Sequence, residues 1–330
     1  MDSIPPTPIT SVHPVTIVPP TPAPVGRRFS LPDAEPRPEK YRTATGSLRG
    51  RIVRNRFRIT VPLGRGGMSW VYLARDVYDG THYAVKVLRA DRRLDEVFRR
   101  RFVNEVQAVR RVRHPAVVQV HDVGELDDGR LFLVMELVRG ITLRKLIKSG
   151  AVDLDIAVAI LCTVADGLGA AHRRGVIHRD LKPGNVLIPR RANPETVAKI
   201  VDFGIARIAG TPTITGAREL VGTPLYIAPE QATGGSVDHR ADVYAFGVMA
   251  YQLLTGCLPF FGKDPAALIR QHVSAIPRPP REVRPDIRLP REVERLVMRC
   301  LEKKPGRRPA DMREIIAVLG RHELPEPPSA

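Results

Sequence analysis

The chain has 330 residues, of which 43% are hydrophobic, enough to bury one large core or two smaller ones, so it is not intrinsically disordered as a whole. The formal net charge of +17 invites a nucleic-acid or membrane-surface reading, but the arginines are spread along the whole chain, and no specific nucleic-acid partner is expected. No run of about 18 apolar residues occurs, the N-terminus lacks the charged-then-apolar order of a leader, and Cys162, Cys257 and Cys300 lie far apart in apolar surroundings; the expectation is a cytoplasmic protein with reduced thiols and no membrane segment in this chain.

Residues 1–40 hold 11 of the 31 prolines, and residues 1–50 read as a Pro-rich disordered tail, because proline removes backbone donors and the stretch has few large apolar side chains. Order is expected from about Phe57. Phe57–Val61 alternates as a strand, followed by Leu63-Gly64-Arg65-Gly66-Gly67-Met68-Ser69-Trp70-Val71, whose glycines let the backbone approach a phosphate. A dinucleotide-binding turn would have to open a helix, whereas Val71–Ala74 alternates as a second strand, so the loop reads as a hairpin folding over phosphates. Tyr83–Leu88 is a third strand, with Ala84 and Lys86 in an apolar run. Arg99–Arg113 reads as a helix with Phe102, Val106 and Val109 on one face and carries Glu105. Val117–Val120 and Leu131–Met135 complete a five-stranded antiparallel sheet, and Thr142 caps a short helix. Asp153–Arg174 is a long apolar-periodic helix. Further helices are expected at Asp238–Leu254, Ala266–Ser274, Arg291–Leu301 and Asp311–Leu319.

Between the long helix and the later ones lies the densest chemistry. His178-Arg179-Asp180-Leu181-Lys182-Pro183-Gly184-Asn185 places an acid, a lysine and a carboxamide in one loop, and Asp202-Phe203-Gly204 follows after two short apolar runs, Val186–Ile188 and Lys199–Val201. Two strands joined by a turn would bring Asn185 and Asp202 to one spot. An acid and an amide oxygen together suit a hard cation such as Mg²⁺. Asp180 beside them is free to accept a proton, the layout that phosphoryl transfer needs.

These motifs resemble those of the eukaryotic-type protein kinases, most closely the bacterial serine/threonine kinases, over about residues 57–320. The resemblance implies an α+β, two-lobed protein kinase fold: a small lobe over residues 57–138, with a five-stranded antiparallel sheet, one helix and the hinge, a mainly helical large lobe over 139–320, and a C-terminal tail over 321–330. It implies ATP with Mg²⁺ or Mn²⁺, and protein substrates with Ser or Thr hydroxyls. Asp180 and Lys182 would be catalytic, and Glu105 would pair with Lys86 to hold it on the α- and β-phosphates; Glu96 is the competing acid. Leu63 to Ser69, Val71, Ala84, Lys86, Met135 as gatekeeper, the backbone of Glu136 and Val138, and Leu187 would bind the nucleotide. Asn185 and Asp202 would hold the metal. Asp242 would fix the backbone of His178-Arg179, and Arg308 would pair with Glu230 of Ala228-Pro229-Glu230. Ser69 stands where the family carries a third glycine.

In such kinases an arginine at the position of Arg179 commonly binds a phosphate on the activation segment. Here Ile205–Ala228 offers Thr211, Thr213 and Thr215 beside Arg207 and Arg218, with Thr213 and Thr215 nearest the usual sites counting back from Gly222-Thr223. Thr223 is expected to serve the active site and, with Lys182, marks the serine/threonine subgroup. Back-to-back pairing through the small lobe is a further expectation of the resemblance. A pseudokinase-like binding module on the same fold would lack one of these parts, and none is missing. A small-molecule phosphotransferase would not explain Lys182, Gly222-Thr223 or Ala228-Pro229-Glu230.

Overall fold

A computed structural model describes residues 48–67, 69–89, 95–150, 152–190, 197–203 and 224–321. The small lobe is built on a six-stranded antiparallel sheet, one strand more than expected, in the order β1-β2-β3-β4-β6-β5. The strands are β1 (Ile52–Val53), β2 (Phe57–Arg65), β3 (Ser69–Asp76), β4 (His82–Leu88), β5 (Val120–Glu125) and β6 (Leu131–Glu136). The extra strand arises because Arg54 and Asn55, both at positive φ, turn the chain back so that Ile52 and Val53 pair with Arg58 and Phe57. Ordered structure therefore begins before Phe57: Leu48 is buried and the Gly50 N–H donates to the Ile59 carbonyl at 2.8 Å.

One helix, α1 (Glu96–Arg110), packs on this sheet through Phe98, Phe102, Val106 and Val109. It starts three residues earlier than its apolar periodicity suggests, because the Asp95 carboxylate accepts the Phe98 N–H at 2.7 Å and caps the first turn. The apolar run expected as a strand at Val117–Val120 divides. Val120 opens β5, while the Val118 N–H donates to the Ile200 carbonyl at 2.9 Å and Val117 bridges Ile200, so the run ties the small lobe to the large one. A continuous buried apolar stretch carries no alternation that would reveal which partner it takes.

The large lobe contains a three-stranded sheet of β7 (Gly140–Thr142), β8 (Val186–Pro189) and β9 (Lys199–Ile200). Its helices are α2 (Leu143–Lys148), α3 (Leu154–His172), α4 (Pro229–Thr233), α5 (Arg240–Thr255), α6 (Pro265–Ser274), α7 (Pro280–Val283), α8 (Arg291–Cys300) and α9 (Met312–Leu319). Thr142 caps α2 through the Lys145 N–H, and Asp311 caps α9 through Arg313 and Glu314. With 19 residues, α3 is long and apolar enough by composition to cross a membrane, yet most of it is buried here, packed against α5, α9 and β9, as befits the core helix of a globular lobe. α5 is buried along nearly its whole length, and at Gly247 an added Cβ would stand 2.6 Å from Cys300 Cβ, so glycine is what lets α8 approach. Cys300 is buried, Cys162 and Cys257 are partly so, and all three are free thiols.

Candidate active site

The loop from His178 to Asn185 is held from below by α5. Asp242 is fully buried, and its carboxylate accepts the His178 N–H at 2.7 Å and the Arg179 N–H at 2.8 Å, as expected. A third partner, His172 Nε2 at 2.8 Å, was not foreseen. These bonds hold Arg179 at φ +62°, a conformation that costs a non-glycine residue roughly 1–3 kcal/mol and persists only where its surroundings impose it. From the other side, Gln231 Nε2 donates to the Arg179 carbonyl at 3.0 Å while Gln231 Oε1 accepts the Ala228 N–H at 3.1 Å, so α4 grips the same residue. His178 is buried. Burial lowers its pKa, its Nδ1 accepts the Asp180 N–H at 3.3 Å, its Nε2 faces the Val201 carbonyl at 3.1 Å, and its ring lies 4.7 Å from that of Phe203.

With the loop so fixed, Asp180 projects into solvent-accessible space. Lys182 Nζ donates to Asp180 Oδ2 at 2.6 Å, and Asn185 Nδ2 donates to the Asp180 carbonyl at 2.8 Å and to its Oδ2 at 3.2 Å. Among the described residues Asp180 Oδ1 has no partner, and it is available to accept a further hydrogen bond. The strand pair forms as the spacing suggests, with Val186 opposite Ile200 and Leu187 opposite Lys199, and the Val201 N–H donates to the Asn185 carbonyl at 2.9 Å. This register brings Asn185 within one residue of Asp202, which is itself held at φ +57°.

Lys86, on β4 and buried, reaches out of the small lobe to Asp202 Oδ1 at 2.8 Å. This corrects the expected pairing with Glu105, whose carboxylate instead meets Arg179 Nη1 at 3.4 Å. The cause is geometric: Glu105 is half-buried where α1 faces the loop from His178 to Asn185, and the partly exposed guanidinium of Arg179 lies within its reach. Burial raises the Glu105 pKa and the Arg179 charge opposes that rise. Glu96 does not replace it, being exposed and paired with Arg100.

Around Lys86 the residues expected to bind the nucleotide are brought together. Val71 lies opposite Lys86 and Ala84 opposite Met135 in the sheet register, while Ala84 and Met135 are buried in a cluster against which Val71, Val138 and Leu187 pack at the edge. Gly64 and Arg65 pair with Val71 and Trp70, and the Gly66 N–H donates to the Ser69 carbonyl at 2.8 Å, closing the hairpin that carries Leu63 to Ser69. The tip is tethered by Arg89, whose guanidinium donates to the Gly67 carbonyl at 3.1 Å. Glu136 is anchored by its side chain, which accepts from Lys199 Nζ at 2.5 Å and from the Gln119 N–H at 3.0 Å. Met68, Gly204, Arg207, Thr211, Thr213, Thr215, Arg218, Gly222 and Thr223 lie outside the described residues.

Farther from the cleft, Arg308 is fully buried and makes a bidentate pair with Glu230 at 2.7 and 2.8 Å, with further bonds to the carbonyls of Glu302, Arg240 and Lys303. A fork matched to a carboxylate, with its remaining N–H groups satisfied, is the form in which a buried ion pair is tolerated. Neither Gln231, His172 nor Lys199 carries a local signal in the sequence, since each acts through a partner distant along the chain.

The donor set suits Mg²⁺. Among the described residues Asn185 spends its amide nitrogen on Asp180 and keeps its oxygen, and Asp202 keeps Oδ2, giving two oxygen ligands of the kind Mg²⁺ takes alongside water and phosphate. Among the described residues no cluster of three or more His, Cys, Asp or Glu side chains forms a dedicated metal cage.

Residues 57–318 match the family model described as the protein kinase domain. The chain is 39% identical over 275 residues to the serine/threonine-protein kinase pkn3 of Myxococcus xanthus, covering 82% of this chain and 50% of that protein. It is 39% identical to the serine/threonine-protein kinase PknB of Mycobacterium leprae, covering 84% of this chain and 44% of that protein. It thus spans about half the length of the curated relatives it matches. Among solved structures, the Mycobacterium tuberculosis PknI kinase domain superposes with a TM-score of 0.66 at 28% identity, covering 84% of this chain and all of that one. Rad53 in complex with AMP-PNP superposes with a TM-score of 0.65 at 26% identity, covering 79% of this chain and 64% of that one. The chain belongs to the protein kinase family.

Proposed function

We propose that this chain is an active serine/threonine protein kinase that transfers the γ-phosphoryl group of ATP to Ser and Thr hydroxyls of proteins. The observation that carries this reading is the convergence of Asp180, Lys182 and Asn185, bonded to one another in one loop, with Asp202 beside Asn185 and paired with Lys86 from the small lobe. Asp180 Oδ1 accepts the proton of the substrate hydroxyl as its oxygen bonds to the γ-phosphorus and the bond to the β–γ bridging oxygen breaks, releasing ADP. Lys182, beside the acceptor acid, offers positive charge to the group in transfer. Lys86 binds phosphate oxygens, and the wall of Val71, Ala84, Met135, Val138 and Leu187 encloses the base. A Mg²⁺ or Mn²⁺ ion held by Asn185 and Asp202 would neutralise phosphate charge. The relatives' names and the AMP-PNP bound by Rad53 support the same assignment.

Arg179 is proposed to receive a phosphate from Thr213 or Thr215, exchanging its present Glu105 partner for a stronger anion and freeing Glu105 toward Lys86. The free thiols accord with action in the cytoplasm. The test is incubation of the purified chain with labelled ATP and Mg²⁺ or Mn²⁺, followed by mapping of phosphorylated residues on the chain and on a Ser/Thr peptide. Nucleotide binding without any transfer would overturn the kinase reading in favour of a binding module.

A further inference from the structure

A strip of positive charge runs from the ends of the β7–β8 pair onto α2. Arg139 precedes β7 and Arg190 follows β8, and the two are joined by a hydrogen bond from the Arg190 N–H to the Arg139 carbonyl at 2.9 Å. β7 runs directly into α2, which adds Arg144, Lys145 and Lys148. All five side chains are exposed, none has an acidic partner among the described residues, and α2 itself contains no acid. Like charges this close repel one another, and a folded chain gains nothing from them unless an anion is brought in.

The position of the strip says which anion. α2 packs on the turn Pro183–Asn185, the far end of the loop that carries Asp180. Arg144 lies near Tyr226, whose hydroxyl is pushed up to about 12 by burial and drawn back by the Arg144 charge. Tyr226 is anchored by a 2.5 Å bond to Gln252 and stands two residues before Ala228, whose N–H is held by Gln231, the side chain that also grips Arg179. The α2 end of the strip thus bounds the space between the loop from His178 to Asn185 and the segment around Tyr226, where a polypeptide must lie for its hydroxyl to reach Asp180.

We propose that Arg139, Arg144, Lys145, Lys148 and Arg190 form a docking rim that selects protein substrates with acidic residues flanking the acceptor Ser or Thr. The inference rests on the kinase reading and adds the substrate class to it.

Three peptides that share one acceptor threonine and differ only in having Asp, Ala or Lys at the flanking positions would test it on the full chain. The Asp peptide should be preferred over the Ala peptide by about tenfold in kcat/KM, the scale of two or three exposed ion pairs, and the preference should shrink as salt is raised. In Arg144→Glu with Lys148→Glu the order should invert toward the Lys peptide, with the Ala peptide phosphorylated as before. A milder pair, Arg139→Gln with Arg190→Gln, should lower the same preference without inverting it. An unchanged preference in the charge-reversed protein would overturn the proposal. So would loss of duplex DNA or anionic vesicle binding in that variant with peptide preference intact, which would assign the strip to another partner. If no peptide is phosphorylated and the chain does not label itself, the kinase reading fails and the docking rim with it; phosphorylation of all three peptides at one rate defeats the docking rim alone.

Discussion

Asp242→Asn isolates the support of the catalytic loop from its chemistry. The buried carboxylate accepts three hydrogen bonds, from the His178 N–H at 2.7 Å, the Arg179 N–H at 2.8 Å and His172 Nε2 at 2.8 Å. A carboxamide of the same shape has one acceptor oxygen, so one of its ends turns an NH₂ donor toward donors. A hydrogen bond to a charged group contributes about 1.5–3 kcal/mol, and losing one while weakening the others should destabilise the protein by roughly 2–4 kcal/mol. For a domain of this size that lowers the unfolding temperature by about 4–16 °C.

The effect on turnover should exceed the effect on folding. Arg179 is held at φ +62° by these bonds, and Asp180 is the next residue. Relaxing Arg179 rotates the carboxylate away from the acceptor hydroxyl, and a misplacement of about 1 Å can cost on the order of 100-fold. Steady-state kinetics on a peptide, with ATP affinity measured separately and unfolding followed by circular dichroism, would check this. The expected pattern is a kcat reduced about 100-fold with ATP affinity nearly unchanged. Parental turnover and parental unfolding temperature together would refute the argument that Asp242 positions the loop.

Asp180→Asn should leave ATP affinity and folding intact while lowering turnover by about 10²–10⁴-fold, read in the same kinetic assay. Lys86→Met should abolish transfer, and Asp202→Asn should make nucleotide affinity less dependent on Mg²⁺, measured by titration with and without the metal. Replacing Thr213 and Thr215 together by Ala should cause a large loss of activity on a peptide and leave phosphatase treatment without further effect. His272 is fully buried, with its Nδ1 3.0 Å from the Tyr244 hydroxyl, and burial and the nearby Lys303 lower its pKa to about 4. Because the unfolded chain binds this proton near pH 6.5 and the folded chain does not, stability should fall as pH drops from about 6.5 toward about 4, by at most about 1.4 kcal/mol per pH unit, and His272→Gln should flatten that part of a urea-unfolding series.

Much of the site was legible because it is local in sequence. Asp180, Lys182 and Asn185 share one loop, and Asn185 reaches Asp202 through a hairpin whose apolar runs set its register. Asp242 with His178 and Arg308 with Glu230 were legible only through the family resemblance, since 64 and 78 residues separate the partners. Nothing local marks Gln231 or His172, because a glutamine in a short helix and a histidine at a helix end are ordinary until the fold brings Arg179 and Asp242 to them. The two-residue strand at Ile52–Val53 escaped notice because its turn uses Arg54 and Asn55 at positive φ, without the glycine that usually signals one.

Glu105 shows where such reading stops. Helical periodicity places it on α1 beside the inner face of Phe102, Val106 and Val109, but says nothing of how the whole helix sits against the cleft. Lys86 has two carboxylates to choose from, one on α1 and one beyond the hinge, and the choice depends on the distance between lobes and helix, a tertiary quantity. Here Lys86 lies 2.8 Å from Asp202, and Glu105 is held, at a longer 3.4 Å, by Arg179. Both Glu105 and Arg179 remain partly exposed, so their pair is a weak one that contributes about 1 kcal/mol or less. A phosphate on the activation segment, with about twice the charge of a carboxylate and three acceptor oxygens, would outbid Glu105 for Arg179. The sequence names all four partners, and the strengths of their pairings, set by exposure and distance, decide which two meet.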